Sequence, residues 1–339
     1  MKRGTRSIVT ALLGIALFGA AALPANAQSL SNRPVRMVLP YPPGGPTDLT
    51  ARLVADAIST GLGVSVLVEN KPGATGKIAA EAVARAEPDG HTLLVASGTQ
   101  LIVLPLLDKT LSFKPFETFR MVSIFTNYDI VFMASPTAGV KTMKDLVAKM
   151  QNKAEDVTYA SIGTAQLTPT GLAYLVLTKM TQGNAREINY AGQAPGMLDL
   201  LAGRVTYATY TLTGAMGHIQ SGKILALAVA SPTRLSQLPD TPTMTEAGFP
   251  EFSSANNWLP WISVVAPAKT PEAIVNSFNR AIVQAAKTDA FKAKFAPTGL
   301  NVVATGTAAQ DQQAWQAEYE RLSATLKRFD IQLPPGVNP

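Results

Sequence analysis

The segment at residues 40–48 carries the strongest chemical signal in the sequence, Pro-Tyr-Pro-Pro-Gly-Gly-Pro-Thr-Asp, between an apolar run and a helical pattern. Glycines let backbone N–H groups approach a ligand because no side chain intervenes. The first turn of a helix adds unpaired donors and a partial positive charge. These features favour a small anion such as a carboxylate. An ordinary tight turn with a helix cap at Thr47 or Asp48 explains the same pattern, so the residues alone leave both interpretations open.

Three further loops rich in small and hydroxyl residues follow apolar runs, at residues 96–100, 161–166 and 190–195. Loops at the carboxyl ends of parallel strands face the binding crevice of open α/β sheets. Each loop alone has a structural explanation. Together the four loops are expected to converge on one ligand.

Other kinds of chemistry have little support. The chain has no Cys, which excludes thiol catalysis, disulfides and Cys-ligated zinc or iron–sulfur sites. It lacks the Gly-x-Ser-x-Gly elbow, the Gly-Lys-Ser/Thr ending of a phosphate-binding loop, and Gly-x-Gly-x-x-Gly after its first strand. We therefore expect a protein that is not an enzyme and that uses no cofactor or metal. A hydrolase acting through His91, expected at a partly exposed turn, or through His218 is the minor alternative.

The first 27 residues have the pattern of a secretory signal peptide. Lys2, Arg3 and Arg6 precede an apolar run at 8–23, and Ala-Asn-Ala follows at 25–27. A retained membrane anchor is the alternative. Removing residues 1–27 lowers the formal charge from +6 to +3, and no basic cluster indicates nucleic-acid binding. We expect a soluble periplasmic protein.

The elements that position these loops alternate along the chain, which predicts an α/β fold with parallel strands. Strands are predicted at 35–39, 64–68, 92–96, 130–134, 157–161, 187–190, 205–210, 225–230 and 262–265. Helices are predicted from residues 44–48 to Gly61 and at 78–86, 143–150, 170–180, 194–201, 213–221, 271–286 and 309–329. In the last helix, apolar side chains recur every three or four residues and predict a packing face: Trp315, Tyr319, Leu322, Leu326 and Phe329.

The C-terminal region has too few strands to form a sheet of its own. We therefore predict a discontinuous first domain, residues 28–128 with 253–339, and an inserted second domain, residues 129–252. The chain crosses between them near residues 127–128 and 252–258. Such a layout places a ligand cleft between the domains.

Several motifs in this order resemble one known family, the solute-binding proteins of tripartite tricarboxylate transporters, or Bug-type receptors. The resemblance runs from about Arg33 to Arg328. The motifs are residues 40–48, Val-Glu-Asn-Lys-Pro-Gly at 68–73, Pro-Asp-Gly-His-Thr-Leu-Leu at 88–94, Tyr-Ala-Ser-Ile-Gly at 159–163, Asp-Leu-Leu-Ala-Gly at 199–203, Gly-Lys at 222–223 and Leu-Pro-Asp-Thr-Pro-Thr at 238–243.

The resemblance implies a type II-like periplasmic binding protein, a Venus flytrap with parallel-rich sheets that closes on a small organic acid. It implies ligand contacts from the first loop (Tyr41, Pro43, Gly44, Gly45, Thr47, Asp48) and from the inserted domain (Ser161, Gly163, Thr164, Ala165). The other two loops add Gly98, Thr99, Gly192, Gln193, Ala194 and Pro195. The implied partners are the organic acid and membrane permease subunits, with no nucleic acid, and the receptor is expected to be a monomer.

The sequence departs from the family pattern at two positions. The family often has a His shortly after the 161–163 motif, where this chain continues Thr-Ala-Gln-Leu-Thr-Pro. Tyr210 stands where the family commonly has an Asp, and Trp258 matches a family Trp at the second crossing. We hypothesise that Tyr41, Tyr210 and Trp258 frame an aromatic or bulky carboxylate. For Trp258, packing at the hinge is the open alternative.

The protein is therefore expected to be a periplasmic receptor that delivers an organic acid to a permease. Aromatic acids and dicarboxylates are among the candidate ligands. A ligand that contacts both domains only in the closed form shifts the population towards that form. The alternative is a ligand-sensing accessory protein for a two-component signalling system, which the sequence does not separate from transport.

Overall fold

A computed structural model of the chain describes residues 30–333 apart from 32, 45, 253–259 and 297–299. The strands are β1 (Val35–Leu39), β2 (Val66–Asn70), β3 (Thr92–Ser97), β4 (Phe119–Asn127), β5 (Ile130–Ala134), β6 (Thr158–Ile162), β7 (Arg186–Tyr190), β8 (Tyr207–Thr211), β9 (Leu225–Val229), β10 (Trp261–Pro267) and β11 (Asn301–Val302). The helices are α1 (Pro46–Leu62), α2 (Lys77–Ala84), α3 (Leu104–Leu107), α4 (Pro115–Thr118), α5 (Met143–Gln151), α6 (Pro169–Thr181), α7 (Gln193–Leu201), α8 (Met216–Gln220), α9 (Glu272–Ala286), α10 (Asp289–Phe295) and α11 (Ala308–Arg328). The predicted signal peptide lies outside the described residues.

The first sheet has the strand order β11-β4-β10-β3-β1-β2. Strand β1 pairs in parallel with β2 and with β3, which confirms the two predicted strand–helix–strand units. Apolar side chains of β1 are buried on both faces, as is typical of a central parallel strand. Strand β10 lies antiparallel between β3 and β4. The sheet is therefore mixed rather than mainly parallel.

The second sheet has the strand order β7-β6-β8-β5-β9. Strand β6 pairs in parallel with β7 and β8, whereas β5 pairs antiparallel with β8 and β9. In each sheet the parallel strands have their carboxyl ends at the same edge. The loops that follow these ends contribute to the site.

The connections between the two sheets lie close together. The N–H of Tyr128, just after β4, donates to the carbonyl oxygen of Pro260, just before β10, at 3.0 Å. The first predicted crossing lies at this position, and most of the second one, at 252–258, lies outside the described residues. The division into domains at residues 128 and 252 stays a prediction.

The last helix packs along both halves of the molecule. Trp315 is fully buried in a cluster with residues of the first sheet such as Val265, while Leu326 is buried in a cluster with Phe132 of β5. Leu322 packs against both clusters. The predicted apolar stripe of this helix is thus a packing face.

No helix within the described residues is long and apolar enough to cross a membrane.

Candidate ligand-binding site

A cleft of about 540 Å³ lies where the carboxyl ends of strands from both sheets meet. The first sheet supplies residues that follow β1, β2 and β3, and the second supplies residues that follow β6 and β8. The lining residues are Pro40, Tyr41, Pro42, Thr47, Pro72, Gly73, Thr75, Gly76, Ser97, Thr99, Gln100, Tyr128, Ile162, Leu167, Thr168, Pro169, Thr170, Thr211, Thr213, Ile262 and Leu300. Hydroxyl groups and apolar side chains dominate this surface.

Two helices of different sheets begin at the cleft. Each of them, α1 and α6, starts with Pro followed by Thr, and the threonines Thr47 and Thr170 line the cleft. Thr168 caps α6 by accepting the N–H of Gly171 at 3.1 Å. Proline suits the first helical position because its ring fixes φ and no N–H is lost there. The N-terminal ends of both helices carry partial positive charge, so the cleft suits an anion without any cationic side chain.

Asp48 holds the first loop from inside rather than facing a ligand. It is 3% exposed, and its carboxylate accepts the N–H of Gly44 at 3.0 Å, two hydrogen bonds from Arg52 at 3.0 Å each, and one from Asn70 Nδ2 at 2.9 Å. Burial acts to raise the pKa of Asp48, but these hydrogen bonds outweigh it and lower the pKa to about 2. The Gly44 N–H, predicted as a ligand donor, is thus used within the loop.

The turn at residues 73–76 forms another wall that sequence reasoning missed. Gly73, Ala74, Thr75 and Gly76 all have positive φ. Gln100 fixes this turn, because its Nε2 donates to the Thr75 carbonyl at 2.9 Å while its Oε1 accepts from the N–H and the hydroxyl of Ser97, both at 2.9 Å. The Pro-Gly pair at 72–73 with Gly76 signals such a turn, but nothing local shows that it faces the ligand.

Tyr41 joins the first loop to the end of β3. Its hydroxyl lies 3.0 Å from the Ser97 hydroxyl, and its carbonyl accepts a hydrogen bond from Asn70 Nδ2 at 3.0 Å. Burial raises the pKa of Tyr41, so its phenol is neutral at physiological pH. Its ring packs against the core of the first sheet together with Tyr128, Ile262 and Leu300, and these side chains form an apolar wall of the cleft.

The structure brings some of the predicted site residues to the cleft, and others do not line it. Tyr41, Thr47 and Thr99 line the cleft. Among the described lining residues there is none of Pro43, Gly44, Asp48, Gly98, Ser161, Gly163, Thr164, Ala165, Gly192, Gln193, Ala194 and Pro195. Gly45 and Trp258 lie outside the described residues.

Gln193 does not line the cleft itself but is hydrogen-bonded to a residue that does. Its Oε1 accepts the hydroxyl of Thr211 at 2.8 Å, and its Nε2 donates to the Thr211 carbonyl at 3.1 Å. Thr211 lines the cleft. The 161–166 loop is similarly tied to its own sheet, since the Gly163 N–H donates to the Tyr190 carbonyl at 3.1 Å.

Tyr210 does not line this cleft, which corrects the proposed aromatic wall. The side chain is fully buried in a cluster with Met197 and Leu200 of α7, and a Cβ on Gly196 would lie 1.9 Å from its hydroxyl oxygen. Successive side chains of a strand point to opposite faces. Tyr210 therefore faces α7, while its neighbour Thr211 reaches the cleft.

The histidines occupy structural positions. His91 is buried, against the expectation of a partly exposed turn, and its Nε2 lies 2.9 Å from the Ser31 hydroxyl. His218 lies in the last turn of α8. Neither lines the cleft. In the part of the chain that the structure describes, no group of three or more His, Asp or Glu side chains could hold a metal ion.

Comparison with known proteins decides the family. The family model of the tripartite tricarboxylate transporter family receptor, TctC, matches residues 50–331. The chain belongs to this receptor family. Its members are periplasmic solute-binding proteins rather than enzymes. The resemblance seen in the motifs is thereby confirmed, and so is the two-sheet α/β architecture of a periplasmic binding protein.

Individual relatives of this TctC-family receptor agree along nearly its whole length. Protein BugT of Bordetella pertussis (strain Tohama I) is 33% identical over 334 residues, which are 95% of this chain and 99% of BugT. The structure of the periplasmic binding protein BugD is 29% identical with a TM-score of 0.74, and the match covers 89% of this chain and 99% of BugD. A protein of R. palustris solved with adipate is 27% identical with a TM-score of 0.75, over 88% of this chain and 98% of that protein.

Proposed function

We propose that this TctC-family receptor captures a small organic carboxylate in the cleft and delivers it to the membrane permease of a tripartite tricarboxylate-type transporter. The observation that carries the proposal is the convergence of two helix N-termini, those of α1 and α6, from different sheets on one cleft. A carboxylate is the small anion that such a pair of helix ends binds well. The adipate found with the R. palustris relative is an acid of this class.

Domain closure follows from this arrangement. The first sheet offers Thr47, Thr75 and Thr99, and the second offers Thr168, Thr170 and Thr211. A ligand that contacts both sets gains its full binding free energy only when the two walls approach. The ligand therefore shifts the population towards the closed form, which the permease recognises.

The domain boundaries and the export signal belong to the same proposal. Residues 28–128 with 253–339 form one domain, residues 129–252 the other, and residues 1–27 are removed on export. The predicted loops at 161–165 and 192–195 support the cleft, with Gln193 holding Thr211 in place. Mass spectrometry of the exported protein tests the signal peptide: a mature chain starting at residue 28 is expected.

The ligand site is tested by a thermal-shift screen against organic acids, followed by calorimetry on two matched variants. Thr170→Val removes a hydroxyl at the cleft, while Thr178→Val removes one two turns further along the same helix, where it donates to the Tyr174 carbonyl at 2.9 Å. A ligand at 100 times its Kd stabilises the fold by about 2.7 kcal/mol. Thr170→Val should lower acid affinity about tenfold and Thr178→Val should not. Equal affinities in both variants would count against the site.

A further inference from the structure

Glu318 of α11 contacts β10, the strand that carries Ile262 of the cleft wall. We infer that Glu318 couples capture of the acid to uptake of a proton, so that the receptor binds an anion more tightly when Glu318 is protonated than when it is ionised. This inference rests on the proposed function, because it needs an anionic ligand in the cleft. It adds control of that site by pH.

The indole of Trp261 connects Glu318 to the cleft wall. Its Nε1 donates a hydrogen bond to the Glu318 carboxylate, and its side chain is buried. The next residue on β10, Ile262, lines the cleft. The residue before it, Pro260, accepts the N–H of Tyr128 at 3.0 Å, and Tyr128 also lines the cleft. Both chain neighbours of Trp261 are therefore part of the wall or bonded to it.

The charge of Glu318 acts on this wall. Burial raises the pKa of the Tyr128 phenol, and the Tyr41 phenol and the Glu318 carboxylate raise it further. An ionised Glu318 therefore opposes negative charge on a side chain that lines the cleft. A ligand carboxylate beside Tyr128 is such a charge. The two anions repel each other through an apolar wall, where the repulsion is stronger than in water.

Glu318 itself titrates in the neutral range. Burial raises its pKa to about 7, although the hydrogen bond from Trp261 and the charge of Arg321 act to lower it. The Arg321 Nε is buried and has no hydrogen-bond partner in the described part of the chain. The Glu318 side chain is only half-buried, so it can exchange protons with solvent. By linkage, an anion that raises the proton affinity of Glu318 is bound more tightly by the protonated receptor.

Two other acids near the cleft are separable from Glu318. The pKa of Asp48 is lowered to about 2, so this carboxylate stays ionised at neutral pH. Asp129 follows Tyr128 in the chain, and burial raises its pKa, although a hydrogen bond from Asn301 Nδ2 at 3.0 Å acts to lower it. The variants Glu318→Gln and Asp129→Asn therefore distinguish the two candidate proton acceptors.

The test measures proton uptake by titration calorimetry of the exported receptor at pH 7.5, in two buffers of different ionisation enthalpy. The probes are adipate, malate and benzoate, which are ionised at this pH because carboxylic acids ionise near pH ~4. Wild type should take up between about 0.2 and 1 proton per bound acid, since one site takes up at most one. Its affinity should fall at least about threefold from pH 6.5 to 8.5. Glu318→Gln should bind without uptake, and the exposed control Glu320→Gln should behave as wild type.

The outcomes separate this inference from the proposed function. A probe that binds wild type without proton uptake and with equal affinity at both pH values overturns the inference and leaves the proposed function standing. Uptake that persists in Glu318→Gln overturns it as well, and its loss in Asp129→Asn would assign the proton to Asp129. If none of the three probes binds at either pH, the proposed function fails and the inference fails with it.

A pair of tryptophan variants tests the contact through Trp261. Trp261→Phe removes the hydrogen bond that lowers the pKa of Glu318, so the midpoint of proton uptake should move to higher pH. Trp315→Phe makes the same change in the same buried cluster, where Nε1 donates to the Leu101 carbonyl at 3.2 Å. That control should keep the wild-type midpoint. Equal midpoints in the two folded variants would contradict the coupling of Glu318 through Trp261.

Discussion

Asp48 shows how one carboxylate can organise a loop that binds another. Its oxygens take the Gly44 N–H, the Arg52 guanidinium and the Asn70 amide, so the acid next to the proposed anion site is fully compensated. These hydrogen bonds occupy the Asp48 carboxylate within the loop.

Asp48→Asn should destabilise the fold by about 1–3 kcal/mol at pH 7, because the variant breaks a partly buried ion pair and leaves donors unpaired. The pKa of Asp48 is lowered to about 2, so its stabilisation is present above about pH 4 and is lost as the pH falls through about 2. Urea unfolding at pH 7 and near pH 2 should show the difference shrinking. Asp156→Asn, which removes a solvent-exposed pair with Arg186, is the control and should cost little. A pH-independent difference for Asp48→Asn would contradict the mechanism.

Glu318 provides a second titration at the level of one residue. Burial raises the pKa of Glu318 to about 7, although the hydrogen bond from Trp261 Nε1 and the charge of Arg321 act to lower it. The folded state therefore favours the protonated acid. Its contribution is fully present below about pH 4.5 and is lost as the pH rises through about 7.

Glu318→Gln should abolish this pH dependence, because a glutamine keeps an acceptor for Trp261 without a charge. Relative to wild type, the variant should gain about 2–3 kcal/mol of stability at pH 8 and little at pH 4.5. Urea unfolding across this range measures both. The exposed Glu320→Gln is the matched control and should leave the slope as in wild type. Parallel pH profiles of stability for wild type and Glu318→Gln would show that the titration of Glu318 does not affect the stability of the fold.

At the scale of elements, the conformation of the turn at 73–76 depends on Gly76. A Cβ on Gly76 would lie 2.4 Å from Gln100 Nε2 and 2.9 Å from Gln100 Cγ, and φ at Gly76 is +92°. Gln100 cannot move away cheaply because it holds both Thr75 and Ser97. The geometry of the turn and that of the β3 end are thus coupled.

Gly76→Ala should cost about 2–4 kcal/mol, which combines left-handed backbone strain with the clash. Gly139→Ala is the control, because φ there is +72° and nothing lies within 4 Å of the added Cβ. That variant should lose only about 1 kcal/mol. The rise in Tm on adding the ligand should be reduced in Gly76→Ala alone. Similar losses of stability in the two variants would show that strain, rather than Gln100, is what matters.

Local pattern predicted most elements because their own residues define them. Strands β1 and β5 have the predicted bounds, and α7 and α11 differ by one residue at each end or fewer. Strand β4 was missed, since Arg120, Ser123 and Thr126 interrupt its apolar run. Its N–H groups at Met121 and Ile124 bond to Gln312 and Asp311 of α11, far away in sequence. The same limit applies to the site, where Thr211 and the 73–76 turn reach the cleft only through the way the strands are arranged.

The whole molecule is held together by more than its two sheet-to-sheet connections. The buried cluster around β5 and α6 also contains Val103 and Leu104, which follow β3, and Leu326 and Ile331 near the C-terminus. Three separate stretches of chain therefore share one core. The last helix begins against the first sheet at Trp315 and ends in this shared core at Leu326. It contributes no residue to the lining of the described cleft.

Leu326→Ala should therefore weaken the fold without weakening the site. Removing this buried side chain should cost about 2–4 kcal/mol, as for other buried leucines. Leu67→Ala, on a side chain that is 54% exposed, is the matched control and should change stability by less than about 0.5 kcal/mol. Titration calorimetry at 25 °C should give the same acid affinity for both variants as for wild type, because the binding walls are intact. A tenfold loss of affinity in folded Leu326→Ala would instead mean that the packing of α11 in the shared core positions the walls of the cleft.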